Sequence, residues 1–436
     1  MKKSVSFFLI LLSFVAYYFL SYEIERSSFL QVVGLFAFLS ASAYYLYKKS
    51  VLKTSHLIWV GVAFRLLHLF SVPNLSDDYT RFLWDGRLIV EGVNPYNEVP
   101  EVMLEQGILD SNNTVVMDLF ATLNSPDRHT IYPPINEFIF AISAFVGRES
   151  VYVGIITMKV ILLLFELLSL FLIVKILRHL NLDERNILLY ALNPLIVVEL
   201  IGNMHFEGTM MCFTLLAFYW FLKNRLSISA LALGFAICSK ILPLLFLPLL
   251  FRRIGFKKTM IYSIIVGLTV LILFLPLFNA SFFPHFIESF KLYFGLFEFN
   301  ASLYYLFKWS YWELWRGSLV VFKVLGMSMY AWYYLFHDKK SMNILKTSGL
   351  ILTLYLFFSQ SIHPWYIIGP MTLLVFSEMR FVFLWGALSV LSYSNYVAIP
   401  FGENYKLIFL EYLIVFSFFF YEFRVRGLKE SVSQAN

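Results

Sequence analysis

Apolar runs of about 20 residues recur along almost the whole chain, and each is long enough for a helix that crosses the hydrocarbon core of a bilayer. Of the 436 residues, 59% are hydrophobic and only 14% are charged, whereas an average soluble domain has about 25% charged residues. A soluble fold of this length could not bury so much apolar surface. We therefore predict an all-α integral membrane protein with about 12–14 transmembrane helices.

The predicted spans follow these apolar runs, and one run is predicted to turn back inside the membrane. Residues 226–251 are long for a single span, and Lys240 and Pro243 interrupt them, so two half-spans that meet near Lys240 are predicted. The first run lacks a small-x-small cleavage site and is predicted to be a retained helix. The other predicted spans are 5–22, 29–47, 56–72, 151–177, 186–201, 206–222, 259–278, 317–337, 344–360, 363–377, 381–399 and 406–423.

Clusters of lysine and arginine orient these spans, because such clusters are enriched in cytoplasmic loops. Their distribution places both termini in the cytoplasm, with residues 1–424 as one polytopic transmembrane domain and 425–436 as a cytoplasmic tail. The outer, periplasmic face then receives a large loop, residues 73–134, which is predicted to carry interfacial helices. The clusters assigned to the cytoplasm are 2–3, 48–53, 178–185, 223–225, 252–258, 339–340 and 424–429.

Composition and motifs give no support to several other classes of protein. The formal net charge of +6 does not indicate a nucleic-acid partner, because the basic residues form small clusters between apolar runs. Cys212 and Cys238 lie inside apolar runs, so a disulfide framework is not expected. The chain has no GxxxxGK[ST] or GxGxxG loop, no CxxC or HExxH motif and no GxSxG nucleophile elbow.

The strongest local pattern is SDDYTRFLWDGRLIVEGVNPY, residues 76–96, at the start of the large loop. Its apolar residues recur at helical spacing, and Arg81, Asp85 and Glu91 occupy another face. This pattern predicts an amphipathic helix that lies along the membrane interface.

Asp77 and Asp78 lie where the third span meets this helix. A carboxylate at that position can face a substrate that is carried by a lipid. The alternative is that one of the two aspartates caps the helix, a position at which Asp is favoured. A cap needs only one carboxylate, so at least one of the pair is predicted to be functional.

Ionisable side chains near the outer ends of apolar spans are the other candidates, because they are costly there and are functional by default. Lys240, inside the hairpin, costs about 2.5–3.5 kcal/mol unless it is paired, and a phosphate would offset that cost; the alternative is snorkelling to the interface. His205 and Glu207, close to Glu199, are interpreted as substrate contacts or a satisfied polar turn, and no metal site is predicted. His363 precedes Pro364-Trp365-Tyr366, an ordinary interfacial anchor, and is a candidate for substrate contact.

Arg128 and His129 lie where the large loop returns to the membrane through HTIYPPINE, residues 129–137. Both side chains could meet a phosphate. The alternative is that they are surface residues of a hydrated loop.

In chain order, WDGRLIVEGVNPY, IYPP, ELIGNMHFEG, SKILPLLFLPLLF and HPWY resemble the bacterial multispanning mannosyltransferase-like members of the GT-C glycosyltransferase superfamily, over about residues 56–377. The resemblance implies transfer of a sugar from a polyprenyl-phosphate carrier to an acceptor hydroxyl on the outer face, with inversion. It also implies that an acidic residue in the first large outer loop is the general base. That role falls on Asp77 or Asp78, and Ser-Asp-Asp in place of the Asp-Glu or Glu-Asp of some relatives leaves the choice open.

The resemblance implies the inner (plasma) membrane of a bacterium as the location and a lipid-linked sugar, with mannose as the first choice, as the donor. The acceptor is a glycolipid, a glycan or a protein; no cofactor is predicted, and dependence on a divalent metal stays open. The leaving group is an anionic lipid phosphate, so it needs cations, for which Lys240, Arg128 and His129 are the candidates. The alternative readings are a multispanning transporter or lipid flippase, in which broken helices also occur, and a scaffold without chemistry.

Overall fold

The computed structural model describes residues 2–279, 281–295, 297–310, 315–334, 343–397 and 401–433. The described residues contain no β-strand, only an isolated bridge between Phe299 and Ser361, which confirms the predicted all-α class. In chain order the α-helices are α1 (Lys2–Tyr22), α2 (Phe29–Lys48), α3 (Thr54–Leu67), α4 (Asp78–Val90), α5 (Pro100–Glu105), α6 (Thr114–Ala121), α7 (Pro134–Val146), α8 (Val151–His179), α9 (Leu188–Ala191), α10 (Pro194–Val197), α11 (Glu207–Leu222), α12 (Leu226–Ile237), α13 (Leu247–Ile254), α14 (Phe256–Phe274), α15 (Phe282–Gly295), α16 (Leu303–Ser310), α17 (Trp315–Trp332), α18 (Ile344–Phe357), α19 (Ile368–Leu374), α20 (Phe381–Leu388) and α21 (Tyr405–Ser433).

Several helices have the length and composition of membrane spans. Among the described residues, four helices are both long enough and apolar enough to cross a membrane, namely α1, α2, α8 and Phe256–Leu277. The bent pair Glu184–Ala191 and Pro194–Gly202 gives a fifth if it is counted as one span. Ile264, Leu268 and Ile272 of α14 lie on one face and are 53–65% exposed. An apolar face that lacks a protein partner over this length needs lipid, so the chain is a membrane protein.

Other predicted spans are broken or shortened at proline. The span predicted at 186–201 bends by 56° at the Asn193-Pro194 junction, because proline cannot donate a helical hydrogen bond. The span predicted at 363–377 begins with a 3-10 turn, Pro364–Ile367. The span predicted at 317–337 can be followed only to residue 334, the last residue described there.

The predicted hairpin at 226–251 is confirmed. Helix α12 ends at Ile237, and α13 begins only at Leu247. Ser229 of α12 contacts Tyr262 of α14, and Gly234 of α12 packs on Thr269 of α14, so these two helices run parallel. The chain between two parallel helices must cross back, and the return passes through Lys240.

The helix predicted within residues 76–96 is present as α4, and protein covers Arg81 and Asp85 on its polar face. Helix α4 is buried on both faces, because α7 packs on one side and the loop folds back over the other. Arg81 pairs with Asp85 at 2.8 Å and donates to the backbone oxygen of Arg128 at 2.8 Å. The loop return thus supplies a partner for this buried arginine.

The connections between helices gather at two ends of the bundle. At one end, Arg26 from the α1–α2 turn contacts Asp77. At the other end, Arg185 donates to the backbone oxygens of Leu46 and Ser50, within the basic clusters that were predicted to share a side. The predicted tail continues α21 as far as Ser433. The aspartate pair and these two basic clusters therefore lie at opposite ends of the bundle.

Candidate active site at the loop end of the bundle

Asp77 and Asp78 lie at the start of α4, where the chain enters the large loop. Asp77 precedes the helix, but its side chain makes no capping hydrogen bond. The Asp78 N–H donates instead to the hydroxyl of Ser76 at 3.4 Å. Helix capping, the structural alternative for this pair, therefore explains neither carboxylate.

Asp77 is paired with a cation from the first turn of the bundle. Arg26 Nη2 lies 2.9 Å from Asp77 Oδ2, and Asn124 Nδ2 donates to Asp77 Oδ1 at 3.1 Å. The Arg26 guanidinium also lies over the ring of Tyr396, at 4.8 Å from its centroid. The Asp77 side chain is 38% exposed, so this pair lies at the rim of the site.

Asp78 faces inward, toward a histidine that a second carboxylate supports. His205 Nε2 lies 3.8 Å from Asp78 Oδ2, and His205 Nδ1 lies 3.0 Å from Glu199 Oε2. Asn124 Nδ2 donates to Asp78 Oδ1 at 3.2 Å. The Asp78 side chain is 29% exposed, whereas those of His205 and Glu199 are buried. The imidazole of His205 thus lies between a buried carboxylate and a partly exposed one.

Local backbone irregularity positions this histidine. The chain forms a single π-helical turn at Val198–Gly202, a feature that is frequent at functional sites. Met204 then adopts a left-handed conformation, with φ of 61°. The Glu199 carboxylate accepts hydrogen bonds from Tyr393 Oη and Asn203 Nδ2, each at 2.9 Å. Glu199 is therefore held rigidly behind His205.

The protonation states follow from these neighbours. Burial alone would lower the pKa of His205, but the carboxylates of Asp78 and Glu199 raise it to about 9, so His205 is an imidazolium at neutral pH. Burial works to raise the pKa of Asp78, but His205, and to a lesser extent His363 and Asn124, lower it below its ordinary value. Asp78 is therefore a carboxylate at neutral pH, the form that can accept a proton.

A column of stacked rings links His205 to the HPWY turn. The ring of His205 stacks on Trp365 at 3.7 Å, Trp365 on His363 at 4.4 Å, and His363 on Phe299 at 4.1 Å. The His363 side chain is partly buried between these rings. Among the described residues its Nδ1 has no hydrogen-bond partner.

Lys240, at the hairpin turn, is ion-paired with Glu207 and lies over the ring of Tyr366 at 4.4 Å. The Glu207 side chain is buried, whereas the Lys240 side chain is 31% exposed. The carboxylate offsets much of the cost of placing an ammonium group among apolar side chains. Apolar side chains that include Leu242 and Leu352 lie around Glu207 and Tyr366. A cation and an apolar surface thus lie side by side.

Arg128 and His129 lie elsewhere. The Arg128 side chain is partly exposed and lies 3.9 Å from Asp127. His129 stacks on His285 at 3.8 Å, and burial, with His285 next to it, lowers the pKa of His129. No contact within the described part of the chain joins either residue to Asp78 or Lys240. The structure therefore brings together Asp77, Asp78, His205, Glu207, Lys240 and His363, but not these two.

Sequence reasoning did not find Arg26, Asn124 and Tyr393. Arg26 carries a weak signal, because it is the only cation in the short α1–α2 turn. Asn124 and Tyr393 carry none, since their roles arise from contacts with residues far away in sequence.

The chemistry available at this site is that of a carboxylate close to a positive charge. Asp78 supplies a carboxylate, His205 and Glu199 hold it, and Lys240 supplies a positive charge. Among the residues that the structure describes, no three His, Cys, Asp or Glu side chains are arranged to hold a metal ion.

Two comparisons with known proteins found matches. A family model described as alpha-(1->6)-mannopyranosyltransferase, N-terminal domain, matches residues 15–254. Alpha-(1->6)-mannopyranosyltransferase A of Corynebacterium glutamicum is 24% identical over 185 residues, which are 41% of this chain and 35% of the relative. The chain thus spans about a third of the length of the curated relative that it matches. No solved structure matches.

Proposed function

This chain belongs to the alpha-(1->6)-mannopyranosyltransferase family, and from that premise we propose that it transfers a mannosyl unit from a polyprenyl-phosphate carrier to an acceptor hydroxyl. The observation that carries this proposal is that His205 lies between Asp78 and Glu199. The acceptor is a glycan, a glycolipid or a protein, and the reaction takes place on the outer face of the bacterial inner membrane.

In the proposed reaction, Asp78 is the general base. The acceptor oxygen attacks C1 of the sugar as its proton moves to the Asp78 carboxylate, and the bond between C1 and the phosphate oxygen breaks. The phosphate leaves with the electron pair of that bond, and the displacement inverts the configuration at C1. Asp77 is less suited to this role, because Arg26 contacts it directly at 2.9 Å, whereas His205 Nε2 lies 3.8 Å from Asp78.

Lys240 is proposed to stabilise the leaving phosphate. Among the described residues, the Lys240 ammonium pairs with Glu207 and lies over the face of Tyr366. An anionic leaving group needs cations rather than an acid. The apolar side chains beside this pair, among them Leu242 and Leu352, suit contact with a prenyl chain attached to that phosphate.

The test is transfer of radiolabelled mannose by the full-length protein in proteoliposomes, with either polyprenyl-phosphate mannose or GDP-mannose as the donor. We expect transfer from the lipid-linked donor alone. Asp78→Asn should lower kcat by about 100-fold or more, the usual scale for a general base. Asp77→Asn, the matched control at the neighbouring position, should lose less than about tenfold.

Equal losses in the two variants of matched thermal stability would reject Asp78 as the specific base. Transfer from GDP-mannose without a lipid carrier would reject the proposed donor. If labelled lipid crossed the bilayer and no glycosylated product formed, the protein would be a flippase and not a transferase.

A further inference from the structure

Helix α7 contacts the two segments that carry Asp78 and Lys240. Among the described contacts, none joins α7 directly to either side chain. At one side, α7 packs on α4, which begins at Asp78. At the other side, the first turn of α7 contacts the residues just before Lys240. The position of this helix therefore bears on the distance between base and cation.

At the contact with the hairpin, the N-terminal end of α7 meets carbonyl groups that follow the end of α12. Helix ends leave N–H and carbonyl groups without partners inside the helix. The carbonyl groups of Cys238 and Ser239 lie beyond the end of α12, so no further helical turn supplies them with N–H donors. The Ile135 N–H, at the free N-terminal end of α7, donates to the Cys238 oxygen at 3.1 Å. The Asn136 side chain, which is buried, donates through Nδ2 to the Ser239 oxygen at 3.0 Å. Both residues directly before Lys240 are thus fixed by α7.

The contact with α4 is rigid. A Cβ atom at Gly86 would lie 2.2 Å from the backbone oxygen of Phe140, so the two helices touch backbone to backbone. The rings of Phe82 and Phe140 stack at 4.8 Å. The Glu137 carboxylate, next to Asn136, is buried and accepts from the Thr130 hydroxyl at 3.1 Å. These contacts hold the first turn of α7 at a set position relative to α4.

We propose that Asn136 is a positioning residue, which holds Lys240 at the correct distance from Asp78 through the backbone of Ser239. This inference rests on the proposed function, because it assumes that Lys240 meets the donor phosphate. It assigns a role to the loop-return segment HTIYPPINE, since the two prolines fix the backbone that presents Asn136.

The experiment is a double-mutant cycle with full-length protein in proteoliposomes, measuring KM for polyprenyl-phosphate mannose and for the acceptor. Asn136→Ala should raise the donor KM by about five- to tenfold, the scale of one buried hydrogen bond, and leave the acceptor KM unchanged. In a Lys240→Ala background, the same change should alter the donor KM by less than about twofold, because the two residues act as one unit. Asn136→Asp, which keeps the side-chain shape but loses the donor, should also raise the donor KM.

Ser143→Ala is the matched control, because Ser143 is buried on the same helix and bonds only to the Ile139 oxygen among the described contacts. It should leave both KM values unchanged. Additive effects of Asn136→Ala and Lys240→Ala would overturn the inference. A rise in the donor KM with Lys240→Ala but not with Asn136→Ala would overturn the inference alone. An unchanged donor KM in Lys240→Ala would overturn the phosphate role of Lys240 and the inference together.

Discussion

The two adjacent aspartates at the start of α4 differ in the kind of cation they face. Asp77 faces the guanidinium of Arg26, which stays charged at all relevant pH values. Asp78 faces the imidazole of His205, which can lose its proton. The surroundings of the proposed base therefore depend on pH, and those of its neighbour do not.

This difference predicts how stability varies with pH. The pKa of His205 is raised from its ordinary value of 6.5 to about 9 in the folded protein. The stabilisation that results is fully present below the ordinary pKa and is lost as pH rises through about 9. The Tm of the wild type should therefore exceed that of His205→Gln most strongly near pH 6, and this difference should shrink by about pH 10.

The measurement is thermal unfolding of the purified protein in detergent across this pH range. His56→Gln is the matched control, because His56 is exposed on α3; its Tm should follow the wild type at each pH. A Tm difference for His205→Gln that stays constant from about pH 6 to about pH 10 would show that His205 does not carry the stabilising proton.

Single residues in this site differ in how well the sequence predicts them. His205, Glu207 and Lys240 could be found because an ionisable side chain beside an apolar run is costly and needs a reason. The choice between Asp77 and Asp78 could not be made, because it depends on Arg26, which is 51 residues away from Asp77, and on His205. Sequence patterns identify costly groups, but tertiary contacts determine their partners.

At the scale of elements, helix breaks and close helix contacts form the site. The hairpin could be predicted, since Lys240 and Pro243 interrupt an apolar run that is too long for one span. The burial of α4 could not, because its periodicity defines a polar face but not what covers it. The cover comes from the loop return near Arg128, far along the chain.

The contact between α4 and α7 can be tested at Gly86. In Gly86→Ala the new Cβ would lie 2.2 Å from the Phe140 backbone oxygen, which cannot move without its helix. We expect a loss of about 1–3 kcal/mol in the free energy of unfolding, typical of overpacking, and a lower Tm. Transfer activity should fall as well, because α4 carries Asp78.

Gly267→Ala is the matched control, since Gly267 lies in helix α14 with open space around it. Alanine favours a helix over glycine by about 1 kcal/mol, so this variant should have an equal or higher Tm. If Gly86→Ala kept the Tm and activity of the wild type, α4 and α7 would not be in the close contact described.

At the scale of the whole molecule, the site combines residues from inside and from outside the region that the family model matches. The family match covers Asp78, His205, Glu207 and Lys240 but ends at residue 254. His363 and Trp365 lie beyond it, yet their rings form the column that supports His205. The turns that carry these residues meet at one end of the bundle, and the basic turn around Arg185 lies at the other. The lysine and arginine pattern assigns the basic end to the cytoplasm.

This orientation predicts which residues a membrane-impermeant maleimide can label in intact cells. Asp110 in the large loop and Lys257 at the start of α14 are both exposed, so cysteine at either position should be accessible on its own side. The natural cysteines, Cys212 and Cys238, are buried and should give little background. We expect Asp110→Cys to be labelled in intact cells and Lys257→Cys only after the membrane is permeabilised. The reverse pattern would place Asp78 and Lys240 at the cytoplasmic face, and the donor would then have to be used from the cytoplasmic leaflet.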